Sequence, residues 1–238
     1  MSEDFLSIIR ARHCKRAFLG RPVPRAVLEE VLGAAAQAPS TRNGQPWSVA
    51  VVSGQAREAL ARRLCDLFDR GAAMKMDYDS RPAELPPAHQ ERARLASAGV
   101  HAAKGIAPDD AAGRRSHLRD NLRFYGAPVA MIFHLPANAA PGTFLEAGFF
   151  IQNVMLGLVA RGLGSCPQAS VAGYSDALRQ ALGLASDRLI VCNLSVGYAD
   201  DTAAVNRFVP ERADLADYVQ WIDRRLDQWL DPPPPDAG

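Results

Sequence analysis

Two polar segments near the N-terminus carry side chains that could bind an anionic ligand. Residues 39–47, with the sequence PSTRNGQPW, combine hydrogen-bonding side chains with two prolines, a glycine and a tryptophan. A basic run precedes this loop and contains Arg10, Arg12, His13, Lys15 and Arg16. Guanidinium groups and exposed backbone amides suit an anion with a planar polar body. The alternatives are a solvated helix face for the basic run and turn chemistry for the loop.

Apolar periodicity predicts the elements that position these segments. Spacing of i, i+3, i+4 predicts a helix over residues 28–36, with Pro24 suited to its first turn and Pro39 ending it. The polar loop therefore begins at a helix C-terminus. Further helices are predicted at 60–68, 144–162 and 215–230, and strands at 49–52, 127–135 and 189–196.

The longest apolar segment, residues 144–162, is predicted to be a buried helix and not a membrane span. It contains Glu146, Gln152, Asn153 and Arg161, which would all have to be accommodated in hydrocarbon. A place in the core or at a subunit interface removes that cost. The three polar residues Glu146, Gln152 and Asn153 are accordingly predicted to pack the helix and not to bind a ligand.

The chain has no internal repeat and no Gly/Ser-rich linker, which favours a single domain over residues 1–231. In residues 72–125, prolines and charged clusters interrupt the apolar pattern. Long irregular segments of this kind are often lids or binding loops. We therefore expect a partly helical cover over an active site, with a plain surface excursion as the alternative. Residues 232–238 are predicted to be a disordered tail.

Composition and motif spacing exclude several classes of function. With 27 basic and 26 acidic residues, the net charge of +1 favours neither nucleic acid nor an anionic membrane as a partner. The four cysteines are too far apart in sequence for C-x-x-C, and no His-Glu-x-x-His occurs, so neither a metal site nor a redox dithiol is predicted. Neither a Walker loop nor a complete dinucleotide fingerprint is present. The acidic start lacks an apolar signal core, which predicts a cytoplasmic protein.

Four segments, taken together, resemble the FMN-dependent nitroreductase family over nearly the whole chain. They lie within residues 12–18 (RHCKRAF), 38–47 (APSTRNGQPW), 152–169 and 196–212. The third and fourth look most like the branch that includes nitrobenzoate reductases. The resemblance implies an α+β fold, a three-layer α/β/α sandwich around a central mixed, mainly antiparallel sheet.

The same resemblance implies FMN as the bound cofactor and a set of residues that contact it. It places Arg12 and Arg212 at the phosphate and Arg16 near the pyrimidine edge of the flavin. The loop that begins at Pro39 meets the flavin, in part across a homodimer interface. A backbone amide between Pro167 and Ser170 would face the ring nitrogen that accepts hydride, with an ordinary loop after a helix as the alternative. The predicted cofactor-binding residues are Arg12, His13, Cys14, Arg16, Pro39, Ser40, Asn43, Gln45, Pro167, Gln168, Ala169, Ser170, Arg207 and Arg212.

Some of these positions leave two interpretations open. Cys14 stands where the family usually has serine, so a weak thiol donor replaces a hydroxyl. His13 either contacts FMN or bonds the backbone, and Arg207 is either a second cation near the phosphate or a surface residue. Trp47 is predicted to pack in the core and is left outside the site.

The implied activity is that of a homodimeric oxidoreductase with FMN at the subunit interface. It would take hydride from NADH or NADPH and reduce a small nitroaromatic, quinone or related acceptor by a ping-pong mechanism. No side-chain acid or base is required, so no catalytic residue is predicted. The alternatives are another flavin chemistry on the same fold (dehalogenation, ene reduction or flavin breakdown) and a non-catalytic FMN-binding protein.

Overall fold

The structure, a computed structural model, describes residues 5–80 and 82–222. The helices are α1 (Phe5–Ala11), α2 (Arg25–Ala35), α3 (Gly54–Asp69), α4 (Pro87–Ala103), α5 (Ala111–Leu122), α6 (Pro141–Ala160), α7 (Ala169–Ala172), α8 (Ser175–Leu182) and α9 (Ala204–Arg207). The strands are β1 (Ser48–Ser53), β2 (Val129–Pro136), β3 (Gly164–Gln168) and β4 (Arg188–Gly197). Single 3-10 turns occur at Thr41–Asn43, Phe124–Gly126 and Leu215–Asp217.

The four strands form one sheet in the order β1-β2-β4-β3. All three ladders are antiparallel; Met131 of β2, for example, faces Val51 of β1 on one side and Leu194 of β4 on the other. Among the described residues, parallel pairing occurs only as isolated bridges, such as the one between Cys14 and Ser165. The prediction of a mainly antiparallel sheet is therefore confirmed, while its named strands show no parallel ladder.

Helices cover both faces of the sheet, as the alternation along β2 requires. Met131, Phe133 and Leu135 point to one face and join a core with α2 and α6. Ala130 and Ile132 point to the other face and join a core with α3, α7 and α8. Successive side chains of a strand lie on opposite faces, so a central strand that is apolar at every position needs a helical layer on each side. The three-layer α/β/α sandwich is confirmed.

Strand β3 was not predicted from the sequence. It reads GSCPQ, and both glycine and proline are poor strand formers. The strand lies at the edge of the sheet, where a proline that cannot donate to a neighbour is tolerated. Local propensity therefore gave no signal for a strand that pairing with β4 stabilises.

Helix α6 is, among the described residues, the one helix long and apolar enough to cross a membrane, with a mean hydropathy of 1.5. Its buried residues Phe150, Val154 and Leu158 pack on the sheet, which is the packing predicted for a core helix. Leu145 and Phe149, in contrast, are 60% and 40% exposed. The helix thus has a second apolar face that the described chain leaves uncovered.

The predicted C-terminal helix is wrong over the described residues. Only a single 3-10 turn forms at Leu215–Asp217, and residues 218–222 are not helical. Tyr218, Trp221 and Ile222 are 68%, 79% and 63% exposed, so the apolar burial that stabilises an amphipathic helix is missing. The remainder of that helix and the predicted tail at 232–238 lie outside the described residues.

Residues 72–125 include α4 and α5, so the segment is partly helical, as predicted. Asp77 ties its beginning to the sheet. The Asp77 carboxylate accepts hydrogen bonds from Arg179 (2.6 Å), Ser175 (2.8 Å) and the backbone N–H of Ile190 (2.8 Å). Burial alone would raise the pKa of Asp77. The hydrogen bonds lower it by more than burial raises it, so the pKa lies below its ordinary value. The segment is therefore attached to the body of the fold before α4 begins.

Candidate functional site

A cavity of about 510 Å³, here called the arginine cavity, lies between the basic run and residues 72–125. Arg12, Arg16 and Arg212 bring three guanidinium groups to it. Its full lining is Arg12, His13, Cys14, Arg16, Ala96, Ser97, Val100, His117, Asn121, Tyr125, Phe208, Pro210 and Arg212. The structure thus unites five predicted site residues from opposite ends of the chain, and helices α4 and α5 form the facing wall.

A second cavity of about 670 Å³ adjoins the first and shares Arg16 and Tyr125 with it. Residues of α3 and α5, including Arg57 and Arg119, form its other walls. Arg16 therefore stands between two spaces, the arginine cavity and this neighbour. A ligand longer than either cavity alone would pass the Arg16 side chain.

The strand-like course of residues 12–17 positions the basic side chains. After α1 ends at Ala11, Cys14 forms a parallel bridge with Ser165 of β3, and the Lys15 N–H donates to the Ser165 carbonyl at 2.9 Å. Apart from Arg10, which lies in the last turn of α1, the basic run is therefore not a helix face, because the chain leaves the helix after Ala11 and pairs with the sheet edge at Cys14. This geometry turns side chains of the run toward the cavity.

Asn206 holds the same segment from the other side. Its side chain is only 1% exposed; Oδ1 accepts from the N–H groups of Arg16 (2.6 Å) and Ala17 (3.2 Å). Its amide donates to the carbonyls of Ala17 (2.7 Å) and Asp200 (2.8 Å). This role of Asn206 was not predicted, because an asparagine in a polar loop has no local signature of a buried side chain that holds another segment.

Tyr125 connects Arg16 to a buried polar network. The Tyr125 hydroxyl donates to Asn121 Oδ1 at 2.7 Å and accepts a hydrogen bond from Arg16. Burial raises the pKa of Tyr125 above its ordinary value, so the hydroxyl stays protonated and able to donate. Phe124 and Tyr125 both have left-handed backbone angles, φ 58° and 53°, which bulky residues rarely adopt. Strained residues of this kind cluster at functional sites.

The predicted residue Gln168 belongs to this network and does not line the cavity. It is 3% exposed; its Nε2 donates to the Asn121 carbonyl at 2.7 Å, and its Oε1 accepts from Asn193 at 2.6 Å. Its neighbours Pro167, Ala169 and Ser170 lie at the end of β3 and the start of α7, outside the cavity lining. The side chain of Gln168 is thus committed to the interior of the fold.

The electrostatics of the arginine cavity centre on Cys14. A hydrogen bond from Cys166 and the charges of Arg16 and Arg12 lower the pKa of Cys14 to about 6, against the opposing effect of burial. The same bond and burial raise the pKa of Cys166. Burial and the charge of Lys104 lower the pKa of His117 to about 4, so this imidazole is neutral at pH 7. Cys14 is therefore an anion among cations at neutral pH.

The loop at residues 39–47 does not reach the arginine cavity of its own chain. Ser40 Oγ accepts from the Gln45 N–H at 3.0 Å, and Asn43 and Gln45 have left-handed angles, φ 57° and 45°. The Thr41 N–H donates to the Glu146 carboxylate at 2.8 Å, so Glu146 holds the loop and does not merely pack α6. The loop, including Pro39, therefore lies beside the exposed face of α6 that carries Leu145 and Phe149.

Three further residues have clear positions. The ring nitrogens of His13, which lines the cavity, each lie 2.9 Å from a backbone carbonyl oxygen, those of Ala11 and Asn206. Arg207 donates to the carbonyls of Thr202 and Asp201, and it is not among the cavity residues. Trp47 stacks on Phe150 with ring centroids 4.9 Å apart, which confirms its predicted place in the core. The side chains of His13 and Arg207 thus both bond to the backbone, and of the two only His13 also lines the arginine cavity.

The donor set of the arginine cavity fits a phosphate attached to a larger planar group. Arg12, Arg16 and Arg212 offer forked donors that match phosphate oxygens. Val100, Tyr125 and Phe208 supply apolar and aromatic wall. The thiolate of Cys14 opposes this fit, because a phosphate and a thiolate would share the same cations.

Comparison with known proteins gives consistent matches. The model of the family described as "Nitroreductase family" matches residues 9–198. The chain is 34% identical to a 4-nitrobenzoate reductase of Pseudomonas putida over 226 residues, which cover 94% of this chain and 99% of the relative. The crystal structure of the FMN- and NADPH-dependent nitroreductase NfnB of Sphigopyxis sp. strain HMH superposes with a TM-score of 0.90 at 34% identity, covering 93% of this chain and 100% of that one. The FMN-dependent nitroreductase NfnB of Mycobacterium smegmatis in complex with NADPH gives a TM-score of 0.87 at 35% identity, covering 91% and 97%.

Proposed function

The chain belongs to the nitroreductase family, and from this premise we propose that it is an FMN-dependent oxidoreductase that uses NADPH or NADH to reduce nitroaromatic compounds. The observation that carries the proposal is the convergence of Arg12, Arg16 and Arg212 on one cavity. The relatives named above are FMN- and NADPH-dependent or act on a nitroaromatic acid. Quinones and related compounds are further candidate acceptors.

The chain's own residues would hold FMN in a defined orientation. Arg12 and Arg212 would bind the phosphate, and Arg16 would face the pyrimidine edge of the ring. FMN, when bound, supplies the hydride transfer to and from carbon and nitrogen substrates. A guanidinium at the pyrimidine edge stabilises negative charge there, and Asn206 and Tyr125 hold the Arg16 backbone and side chain in place. Helices α4 and α5 would cover the ring and exclude water.

A homodimer would complete this site. Ser40, Asn43 and Gln45 lie beside the uncovered face of α6, so they would reach the flavin of a partner subunit and not that of their own chain. Leu145 and Phe149 supply apolar surface for such an interface, as do the exposed Tyr218 and Trp221. The backbone amides near Ala169 would face the flavin from the edge strand. We further propose a single cytoplasmic domain without a nucleic-acid or membrane partner.

The first test is the visible absorption spectrum of the purified protein, followed by identification of the chromophore released on denaturation. We expect FMN near one molecule per chain and anaerobic bleaching of the flavin by NADPH or NADH. Reoxidation by 4-nitrobenzoate should follow, because the family premise couples the two half-reactions. Protein that neither contains nor takes up FMN would contradict the proposal, and flavin that no nicotinamide reduces would leave only a binding protein.

The second test concerns the shared site. Light scattering of the FMN-loaded protein is expected to give the mass of two chains. The double substitution of Leu145 and Phe149 by lysine should shift the mass toward one chain and release FMN, because the interface loses apolar area. The matched control is the same double substitution at Leu95 and Leu118, which are 51% and 53% exposed on α4 and α5. This control should keep the mass of two chains. A wild-type monomer with FMN still bound would contradict the shared site.

A further inference from the structure

Two cysteines that are far apart in sequence meet beneath the arginine cavity. The bridge between Cys14 and Ser165 places Cys14 next to Cys166 across the edge of the sheet. The Lys15 N–H donates to the Ser165 carbonyl at 2.9 Å and fixes this register. The two thiols are close enough to affect each other: Cys166 lowers the pKa of Cys14, and Cys14 raises the pKa of Cys166. The Cys166 thiol also donates to the Pro167 carbonyl at 3.9 Å. The cysteine spacing in the sequence excluded a C-x-x-C motif, but the fold creates a thiol pair without one.

The two thiols have different environments. Cys14 lines the cavity, where a small solute can reach it, and Arg12 and Arg16 face it. Cys166 is 2% exposed and lies behind Cys14, with Arg16 and Tyr125 among the charged and titratable groups near it. Cys65 lines the second cavity, but it packs in the core on the α3 side of the sheet, and burial raises its pKa. Nucleophilic thiols are deprotonated, reachable and close to cations, and those properties belong to Cys14.

We propose that Cys14 and Cys166 form a reversibly oxidisable pair, in which a hydroperoxide oxidises Cys14 and Cys166 resolves it to a disulfide. Cys14 is the thiol that attacks, because it is the one in contact with the cavity. Cys166 is the resolving thiol, because the bridge between Cys14 and Ser165 places it next to Cys14. A reactive, accessible thiol that lies next to a resolving thiol favours reversible oxidation over irreversible damage.

The chemistry balances in two steps. The Cys14 thiolate attacks the peroxide oxygen; an S–O bond forms, the O–O bond breaks, and the departing hydroxide takes a proton to become water. Sulfur has then lost two electrons, and Cys14 is a sulfenic acid. The Cys166 sulfur next attacks the Cys14 sulfur; the S–S bond forms, the S–O bond breaks, and the leaving hydroxide takes the Cys166 proton. One hydroperoxide has become two waters, or water and an alcohol, and two thiols have become one disulfide.

Oxidation changes the cavity. The disulfide removes the anion from the field of Arg12 and Arg16 and draws the Cys14 side chain toward Cys166. FMN with its phosphate at Arg12 and its ring edge at Arg16 would cover Cys14, so bound FMN should slow the oxidation. This last point alone rests on the proposed function, since the thiol chemistry needs no flavin.

The test treats the full-length protein, prepared with and without FMN, with hydrogen peroxide. Alkylation of the remaining thiols and peptide mass spectrometry then locate the product. We expect the loss of two thiols per chain, a crosslinked pair of peptides that contain Cys14 and Cys166, and complete reversal by dithiothreitol. Cys166→Ser should instead accumulate a sulfenic acid at Cys14, which dimedone traps. Cys14→Ser should leave Cys166 reduced, and Cys65→Ser, the matched control, should keep the crosslink.

Free thiols at both positions after peroxide treatment would overturn the inference, as would a crosslink between any other pair. Thermal melting of each variant checks that it is folded; should Cys166→Ser fail to fold, Cys166→Ala replaces it, with the same dimedone result expected. Failure of FMN to bind would contradict the proposed function and would leave the crosslink result unaffected. Slower loss of the Cys14 thiol in the presence of FMN would connect the thiol chemistry to the proposed function.

Discussion

Cys14→Ser is expected to bind FMN about tenfold more tightly than the wild-type protein near pH 8 and equally well near pH 5.5. The pKa of Cys14 is lowered to about 6, so the wild-type side chain is a neutral thiol below that pH and a thiolate above it. The thiolate and the FMN phosphate compete for Arg12, and the thiolate also attracts Arg16, which would face the pyrimidine edge of the flavin. Phosphate binding must then raise the pKa of Cys14, and each unit of that rise weakens binding about tenfold at high pH. Serine carries no charge at either pH.

Fluorescence titration with FMN across about pH 5.5 to about pH 8 measures this effect. The phosphate group of FMN also ionises near pH 6, and this contribution is common to both proteins. The difference between the wild type and Cys14→Ser therefore isolates the thiolate. Cys65→Ser serves as the control and should follow the wild-type curve. Parallel curves for wild type and Cys14→Ser would show that Cys14 holds no charge in the cavity.

Asn206→Ala is expected to lower the free energy of unfolding by about 3 kcal/mol and to weaken FMN binding at least tenfold. The side chain satisfies two N–H groups and two carbonyls, and it is almost fully buried. Each buried polar group left without a partner costs about 1–3 kcal/mol, and water entering the space recovers part of that. The Arg16 backbone would lose its anchor, so its guanidinium would no longer be held at the flavin edge.

Urea unfolding and FMN titration of the same samples measure the two effects. Asn153→Ala is the matched control, because Asn153 makes a single long hydrogen bond, 3.4 Å to the Ala35 carbonyl, between α6 and α2. It should cost less than about 1 kcal/mol and leave FMN affinity unchanged. Equal losses of stability in the two variants would contradict the clamp. Loss of stability without loss of affinity would show that Arg16 is positioned by Tyr125 alone.

The elements with strong periodic patterns could be predicted from the sequence. Strands β1, β2 and β4 lie within two residues of their predicted bounds and helix α2 within three, because the apolar side chains that define each pattern are the ones that enter the core. Strand β3 was not predicted, because its pairing with β4 outweighs the poor strand propensity of its residues. The helix predicted at residues 218–222 does not form, because its apolar side chains are not buried in a core. The first outcome depends on contacts with residues distant in sequence, and the second depends on the lack of such contacts.

The candidate site divides in the same way. Arg12, Arg16 and Arg212 were predicted from the resemblance to the nitroreductase family, and all three line the arginine cavity. Their contact with FMN stays a prediction. Arg207 and Gln168 were predicted with them, but their side chains bond within the chain, away from the cavity. Residue type alone cannot distinguish a donor that faces a ligand from one that faces its own backbone. That distinction depends on which direction the folded chain turns each side chain.

The sequence by itself identified the family and, through that resemblance, the three-layer fold. It also predicted FMN as the cofactor and Arg12, Arg16 and Arg212 as residues that hold it. Motifs and their order carry this information, because they can be recognised without knowing which residues meet in space. Only the tertiary structure decided that Asn206 clamps the basic run, that Tyr125 supports Arg16, and that Cys14 meets Cys166. Each of these contacts joins residues more than a hundred positions apart. Pairing at the edge of the sheet brings such residues together, and no local pattern records it.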